Sequence, residues 1–193
     1  SLLDAARTVF ARHGYLNTTV DHIVTEAGVA RGSFYTYFES KTHIFGQLAA
    51  LIDKQVERDV VSFDRREGDP IANLEISNRN YLALVRDLAD LYRLVDQVAA
   101  HDEAVRRARL RSHQTHVARV EKAIRRWQER GWADCGIDAH ITAAALVSML
   151  SGFAQWLHIG GDSYDEGTAV AALTQIWVKA CGLAPPARAH QGV

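Results

Sequence analysis

Thr18-Thr19-Val20-Asp21-His22-Ile23-Val24-Thr25-Glu26-Ala27-Gly28-Val29-Ala30-Arg31-Gly32-Ser33-Phe34-Tyr35-Thr36-Tyr37-Phe38-Glu39-Ser40-Lys41 is the stretch on which the reading of this chain turns. Thr18-x-x-Asp21 resembles a capping box: the hydroxyl can accept a free N–H, and the carboxylate lies at the positive end of the helix that follows. Val20, Ile23, Val24 and Ala27 then form one apolar stripe, and Gly28 supplies the backbone freedom that a C-terminal turn needs. Beyond the turn, Phe34 and Phe38 lie four apart and can face inward, leaving Arg31, Gly32, Ser33, Tyr35, Thr36 and Tyr37 around the other face. Two short helices joined through a glycine-containing turn make a helix-turn-helix, whose second helix reads a DNA groove.

The flanks supply its support. A helix is predicted over about 2–14 with Leu3, Ala6, Val9 and Phe10 on its core face, and another from Lys41 into the fifties with Ile44, Leu48, Leu51 and Ile52. Both can clamp the reading helix. The fourth continues toward the rest of the chain and is the expected lever by which a distant change moves the reader.

Leu3-Asp4-Ala5-Ala6, Phe10, Gly14-Tyr15, Thr18-Thr19-Val20, Ala27-Gly28-Val29, Gly32-Ser33-Phe34-Tyr35-Thr36-Tyr37-Phe38 and Ser40-Lys41 together closely resemble the N-terminal domain of TetR-family transcriptional regulators, over roughly residues 2–48. The resemblance implies an all-α protein, a three-helix DNA-binding domain followed by a larger helical ligand-binding and dimerisation domain. It implies a homodimer on a pseudo-palindromic double-stranded operator, a repressor released by a small lipophilic or acyl-type effector. Carried over by residue, Thr19 and its helix-start amide hold phosphate, Arg31, Gly32 and Thr36 approach base edges, Tyr35 meets sugar-phosphate or a thymine methyl, and Tyr37 and Lys41 hold phosphates. Ala30 departs from the hydroxyl residue common at the start of the reading helix, which removes a side-chain cap worth about 1 kcal/mol. His43 stands near where an acid commonly follows the Ser-Lys pair. The expected divisions are 1–46 for the DNA-binding domain, 47–183 for the effector and dimerisation domain, and 184–193 for a flexible tail.

Composition sets limits on that picture. The chain has 193 residues, 48% of them hydrophobic, enough for a sizeable core. Its net charge is only -1, whereas phosphate neutralisation usually leaves a basic footprint. Within residues 1–45 four basic residues (Arg7, Arg12, Arg31, Lys41) stand against four acidic ones (Asp4, Asp21, Glu26, Glu39), so DNA binding must depend on local placement, on helix N-termini and on doubling by a dimer. A moderate salt dependence is expected. No apolar run is read as approaching the roughly 18 residues of a membrane helix, and the start lacks a secretory pattern, so a cytoplasmic protein is expected. The sequence begins without Met, which suggests that the natural chain starts earlier. Cys135 and Cys181 have no metal-like spacing and are expected to be reduced and incidental.

The remainder reads as helices. After the loop-like Asp64-Arg65-Arg66-Glu67-Gly68, the pair Asp69-Pro70 opens one long amphipathic helix that ends near His101, followed by helices at about 102–130, 138–159 and 165–181. Ala143, Ala144, Ser148, Ser151 and Gly152 on one helix, with Ala169, Ala172 and Ala180 on the next, offer close-approach faces; the resemblance implies a four-helix dimer interface there. On the helix at 102–130, Arg109, His113 and His116 interrupt a stripe of Val105, Val120, Ala123 and Trp127. Polar groups on an apolar face must be paired, hydrated or bound. A ligand pocket is therefore expected from Arg109, His113, His116 and Trp127 with Tyr81, Tyr92 and Trp156. The nearby series Arg106, Arg107, Arg109, Arg111, Arg119, Lys122, Arg125, Arg126 and Arg130 reads as a solvated face or as a receiver of ligand phosphates. His113-x-x-His116 lacks both the i, i+4 spacing and the Glu of a zinc-protease helix, and no nucleophile elbow, P-loop or dinucleotide pattern occurs. No metal, cofactor or catalytic residue is expected. The alternative reading is a small-molecule-binding helical protein whose DNA contacts are vestigial.

Overall fold

The computed structural model describes residues 1–60 and 69–184, so the predicted loop at 64–68 and the predicted tail beyond Ala184 lie outside the described residues. Nine α-helices and no strands occur among them. They gather into two compact units. The first comprises Ser1–Gln55 with Asp87–Arg111, and the second Val56–Arg86 with the chain from Ser112 onward.

In the first unit, α1 (Leu2–Asn17) buries Ala5, Ala6, Val9 and Phe10, while Leu3 stays half-buried. Gly14 kinks it at φ 72°, a left-handed conformation that a Cβ disfavours, so the regular helix ends where the sequence places it. α2 (Val20–Ala27) buries Ile23 and Val24, ends on Gly28 at φ 67°, and leads to the seven-residue α3 (Arg31–Tyr37). α4 (Lys41–Gln55) buries Ile44, Phe45, Leu48 and Ile52; Phe45 takes the place expected of Leu51, which faces outward. Phe10, Tyr15 and Phe45 form a trio at 4.9–5.7 Å between centroids, Phe45 edge-on to both of the others, joining α1 to α4.

The capping expected of Thr18 belongs to Thr19. The Thr19 hydroxyl accepts the His22 N–H at 3.2 Å, and His22 Nδ1 accepts the Thr19 N–H at 3.4 Å. Thr18 is instead buried, its hydroxyl donating to the Gly14 carbonyl at 2.7 Å and so closing the kinked end of α1. A histidine recurs at the start of α4: Ser40 Oγ accepts the His43 N–H at 3.1 Å and His43 Nδ1 accepts the Glu39 N–H at 3.2 Å. Imidazole thus does in two places what a carboxylate does in an ordinary capping box.

The single long helix expected over 70–101 is two: α5 (Pro70–Asp87) and α6 (Ala89–Ala99). Leu88 leaves helical geometry at φ -114°, ψ 20° with no glycine or proline to announce it. The cause is tertiary. α6 packs on α1, where Arg7 forks onto Asp90 at 2.8 and 2.6 Å and its Nη2 donates to the Asp87 carbonyl at 3.5 Å. This draws Asp87–Arg111 into the first unit, which a boundary at residue 46 leaves out.

α7 (Glu103–Glu129) begins in the first unit and ends in the second. In the second unit Asp69, Asp138 and Asp165 accept N–H groups at the starts of α5, α8 (Ala139–Gln155) and α9 (Glu166–Cys181), as the sequence predicts for the first of them. Single π-helical turns follow α4 at Val56–Val60 and α8 at Trp156–Gly160. The stretch Ala139–Gly160 is long and apolar enough by length and composition to cross a membrane, which corrects the expectation that no such run exists. Its Ala143 and Ala154 are fully buried and Ser151 takes a hydrogen bond from Tyr81, features of a core helix.

Candidate nucleic-acid interface and ligand cavity

The outward face of α3 follows from which of its rings are inside. Phe34 is completely buried, with Phe38 at 5.6 Å and Tyr35 edge-on at 5.3 Å. Tyr35, one place along, points away and is 50% exposed, and Tyr37, at the last position of α3, is 69% exposed. Arg31, Gly32 and Thr36 share this exposed surface, and nothing lies within 4 Å of where a Gly32 Cβ would stand. Ala30 gives α3 no side-chain cap, as its residue type requires.

Charge on this face is internally balanced. Arg31 Nη1 contacts both Asp21 oxygens at 2.7 Å, and Nη2 donates to Tyr35 Oη at 3.5 Å. The Tyr35 hydrogen bond first, then the Asp21 charge, raise the Arg31 pKa, so its charge is permanent. A phosphate or base edge would have to take Arg31 from Asp21.

Lys41 stands differently from its expected role. Its ammonium donates to the carbonyls of Tyr15, Leu16 and Thr18 at 2.8, 3.4 and 2.8 Å and lies 4.5 Å from the Tyr15 ring centroid. All three hydrogens are thus used on the C-terminal end of α1, and burial lowers the pKa of the amine. Lys41 is a clamp between α4 and α1, which sequence spacing alone does not reveal.

In the second unit a cavity of about 60 Å³ opens among helices far apart in sequence. α5 contributes Leu74, Ser77, Asn78 and Tyr81, and α7 contributes His116, Arg119 and Val120. Val147, Leu150 and Ser151 of α8, Trp177 of α9 and Val56 complete it. Of the expected pocket residues, Tyr81 and His116 line this cavity. Tyr92, Arg109, His113, Trp127 and Trp156 do not: Arg109 pairs with Asp96 at 2.6 Å, Trp127 is buried, and Trp156 is 65% exposed. Burial pushes the Asp96 carboxyl up although Arg109 pulls it down.

Two polar features of the wall, Asn78 and Trp177, are absent from the sequence reading, and a third, Arg119, appears there only within the basic series. Asn78 is buried and donates to Thr174 Oγ1 at 3.0 Å; its i+4 step from Leu74 on an apolar face was a legible signal. Arg119, one of the basic series, pairs with Glu57 at 3.2 Å at the cavity. Trp177 is 2% exposed, and its Nε1–H has no hydrogen-bond partner among the described residues. Cys181 is buried, which pushes its thiol up to about 11 and keeps it protonated and unreactive, while Cys135 is exposed and unbridged. No cluster of three or more His, Cys, Asp or Glu able to hold a metal ion occurs among the described residues.

Residues 2–48 match the family described as bacterial regulatory proteins, tetR family. A protein of Escherichia coli K12 described as the probable acrEF/envCD operon repressor is 26% identical over 180 residues, covering 88% of this chain and 81% of its own. The HTH-type transcriptional repressor DhaR of a Mycobacterium species, strain GP1, is 27% identical over 157 residues, 78% of this chain and 77% of its own. Among solved structures, SmeT in complex with triclosan superposes with a TM-score of 0.81 at 19% identity, covering 96% of this chain and 94% of that one, which establishes likeness of fold.

Proposed function

Because the chain belongs to the TetR family of transcriptional regulators, we propose that it is a ligand-responsive repressor acting in the cytoplasm, binding a pseudo-palindromic operator as a homodimer and leaving it when a small effector occupies the cavity. The observation that carries the DNA half is the division of α3, with Phe34 inside and Arg31, Gly32, Tyr35, Thr36 and Tyr37 outside. Arg31 and Thr36 suit base edges, Tyr35 a thymine methyl or sugar, and Tyr37 and the Thr19 amide phosphates. Lys41 is left out of this set and holds α1 in place for it. In a dimer the two reading helices would enter successive major grooves about 34–36 Å apart.

Dimerisation is assigned to the exposed sides of α8 and α9. Ala143 and Ala169 pack inward, whereas Ile141, Ala145 and Ser148 on α8 and Ala172, Ile176 and Ala180 on α9 face outward, each of them small or apolar. The acrEF/envCD and DhaR relatives are described as repressors, and SmeT is described in complex with triclosan; both support the reading of this chain. A coupling of about 1–3 kcal/mol between effector and operator suffices for a useful switch.

Tyr35→Ala tests the proposal directly in an electrophoretic mobility shift with DNA upstream of the protein's own gene. Operator binding should vanish while the protein stays folded and dimeric; wild-type affinity in the variant would remove the assigned groove face. The Asp21–Arg31 pair is the observation that favours the other reading, a small-molecule binder with vestigial DNA contacts. Absence of any shift with wild-type protein would select it.

A further inference from the structure

We infer that the cavity of the second unit takes a short monoanionic amphiphile, a carboxylate of roughly eight heavy atoms whose charge replaces that of Glu57 at Arg119. This rests on the effector reading above and names its ligand class.

Size comes first. A space of about 60 Å³, counted at roughly 10–15 Å³ for each water centre it can place, holds about five waters and so suits an acid of about six carbons better than a long acyl chain. Leu74, Val120, Val147 and Leu150 provide an apolar wall for a hydrocarbon body.

The polar atoms then choose the head group. Tyr81 has given its hydroxyl hydrogen to Ser151 and Asn78 one of its two amide hydrogens to Thr174, so neither of those hydrogens is open to a ligand. Trp177 Nε1–H is a donor in a wall residue almost wholly buried, without an acceptor among the described residues. A buried N–H of this kind is expected to find a partner, and a ligand oxygen is one. Arg119 adds a fixed positive charge to the same wall. A guanidinium and an indole N–H together select an acceptor that carries negative charge, against a cation or a plain hydrocarbon.

Glu57 is the present counter-charge. It lies in the π-helical turn Val56–Val60, its side chain 67% exposed against 30% for Arg119. Ion pairs this open to water contribute little, so a ligand carboxylate with an apolar body can take the guanidinium at small cost.

Calorimetric titration at neutral pH with hexanoate and with its neutral analogue hexanamide decides the matter. Wild-type protein should bind hexanoate about tenfold more tightly than hexanamide. Arg119→Gln should abolish that preference, and Glu57→Gln, at an exposed side chain that folding does not need, should strengthen hexanoate binding about threefold while leaving hexanamide unchanged. Trp177→Phe keeps an aromatic ring but removes the donor, and should weaken both ligands. Equal binding of the two compounds, no hexanoate binding up to about 10 mM, or no response to Glu57→Gln overturns the assignment. Mobility shifts on the same preparations separate the two levels. Failed hexanoate binding with intact DNA binding removes only the ligand class, whereas the expected hexanoate pattern with no DNA shift leaves the site standing and removes the repressor reading.

Discussion

The helix-turn-helix and the cavity satisfy the same physical demands by opposite routes. In the former most neighbours are close in sequence: Phe34 meets Tyr35 and Phe38, Thr19 meets His22, and Arg31 meets Asp21 and Tyr35. The cavity is assembled from Val56, α5, α7, α8 and Trp177, and its buried Asn78–Thr174 bond joins residues 96 apart. Local assembly leaves the polar groups of the first region exposed and exchangeable, suited to a partner that arrives from solvent. Long-range assembly leaves an unmatched donor inside, suited to a partner that is enclosed. Surface polarity can be lent to DNA; buried polarity has to be completed by something that fits.

The largest expected effect tests how self-contained the first region is. Phe34→Ala should destabilise it by about 3–5 kcal/mol, read by chemical denaturation, and abolish operator binding. Hexanoate affinity should persist, and its simultaneous loss would break the contrast. Next in size, Lys41→Gln strands carbonyls that its ammonium now satisfies and should cost about 1–2 kcal/mol. The slope of operator affinity against salt should stay unchanged in that variant, since a true phosphate contact would lower it by about one.

Smaller effects sharpen the contrast. Asp21→Asn frees Arg31 and should raise operator affinity several-fold with a steeper salt dependence, measured by fluorescence anisotropy across a salt series. An unchanged slope would mean that Arg31 does not reach the DNA. Smallest is Asp90→Asn, which removes a partly exposed pair and should cost under about 1 kcal/mol. Hydrogen bonding to Arg7 first, against some burial, holds the Asp90 carboxyl below its ordinary range. Its contribution is therefore present above the ordinary carboxylate range and lost as pH falls through the lowered value, so variant and wild type should converge in acid denaturation.

The legibility of the sequence followed this difference. Val20, Ile23, Val24, Gly28 and Phe34 could be placed from spacing, because helical periodicity and a left-handed turn are properties of a few adjacent residues. The same logic failed by one residue at Thr18 and Thr19: both are threonines before an apolar stripe, and only the carbonyl of Gly14 decides which hydroxyl turns inward. For the cavity, Tyr81 and His116 were legible as polar breaks in apolar faces, while Arg109 was misplaced because one stripe on α7 serves two units in turn. Lys41 read as a surface cation, and its three carbonyl partners come from the end of another helix.

Residue order alone determined that this chain is helical, that a glycine turn separates two short helices between α1 and α4, and which side of α3 carries Phe34, since each depends on interactions within about two turns. Tertiary structure alone decided the break at Leu88, the recruitment of Asp87–Arg111 to the first unit, the clamping role of Lys41 and the partners of Arg119 and Trp177. The reason is physical: a helix carries its own hydrogen bonds and its own period, but the charge, carbonyl or empty space that a side chain finally meets belongs to another helix, whose distance along the chain leaves no trace in local spacing.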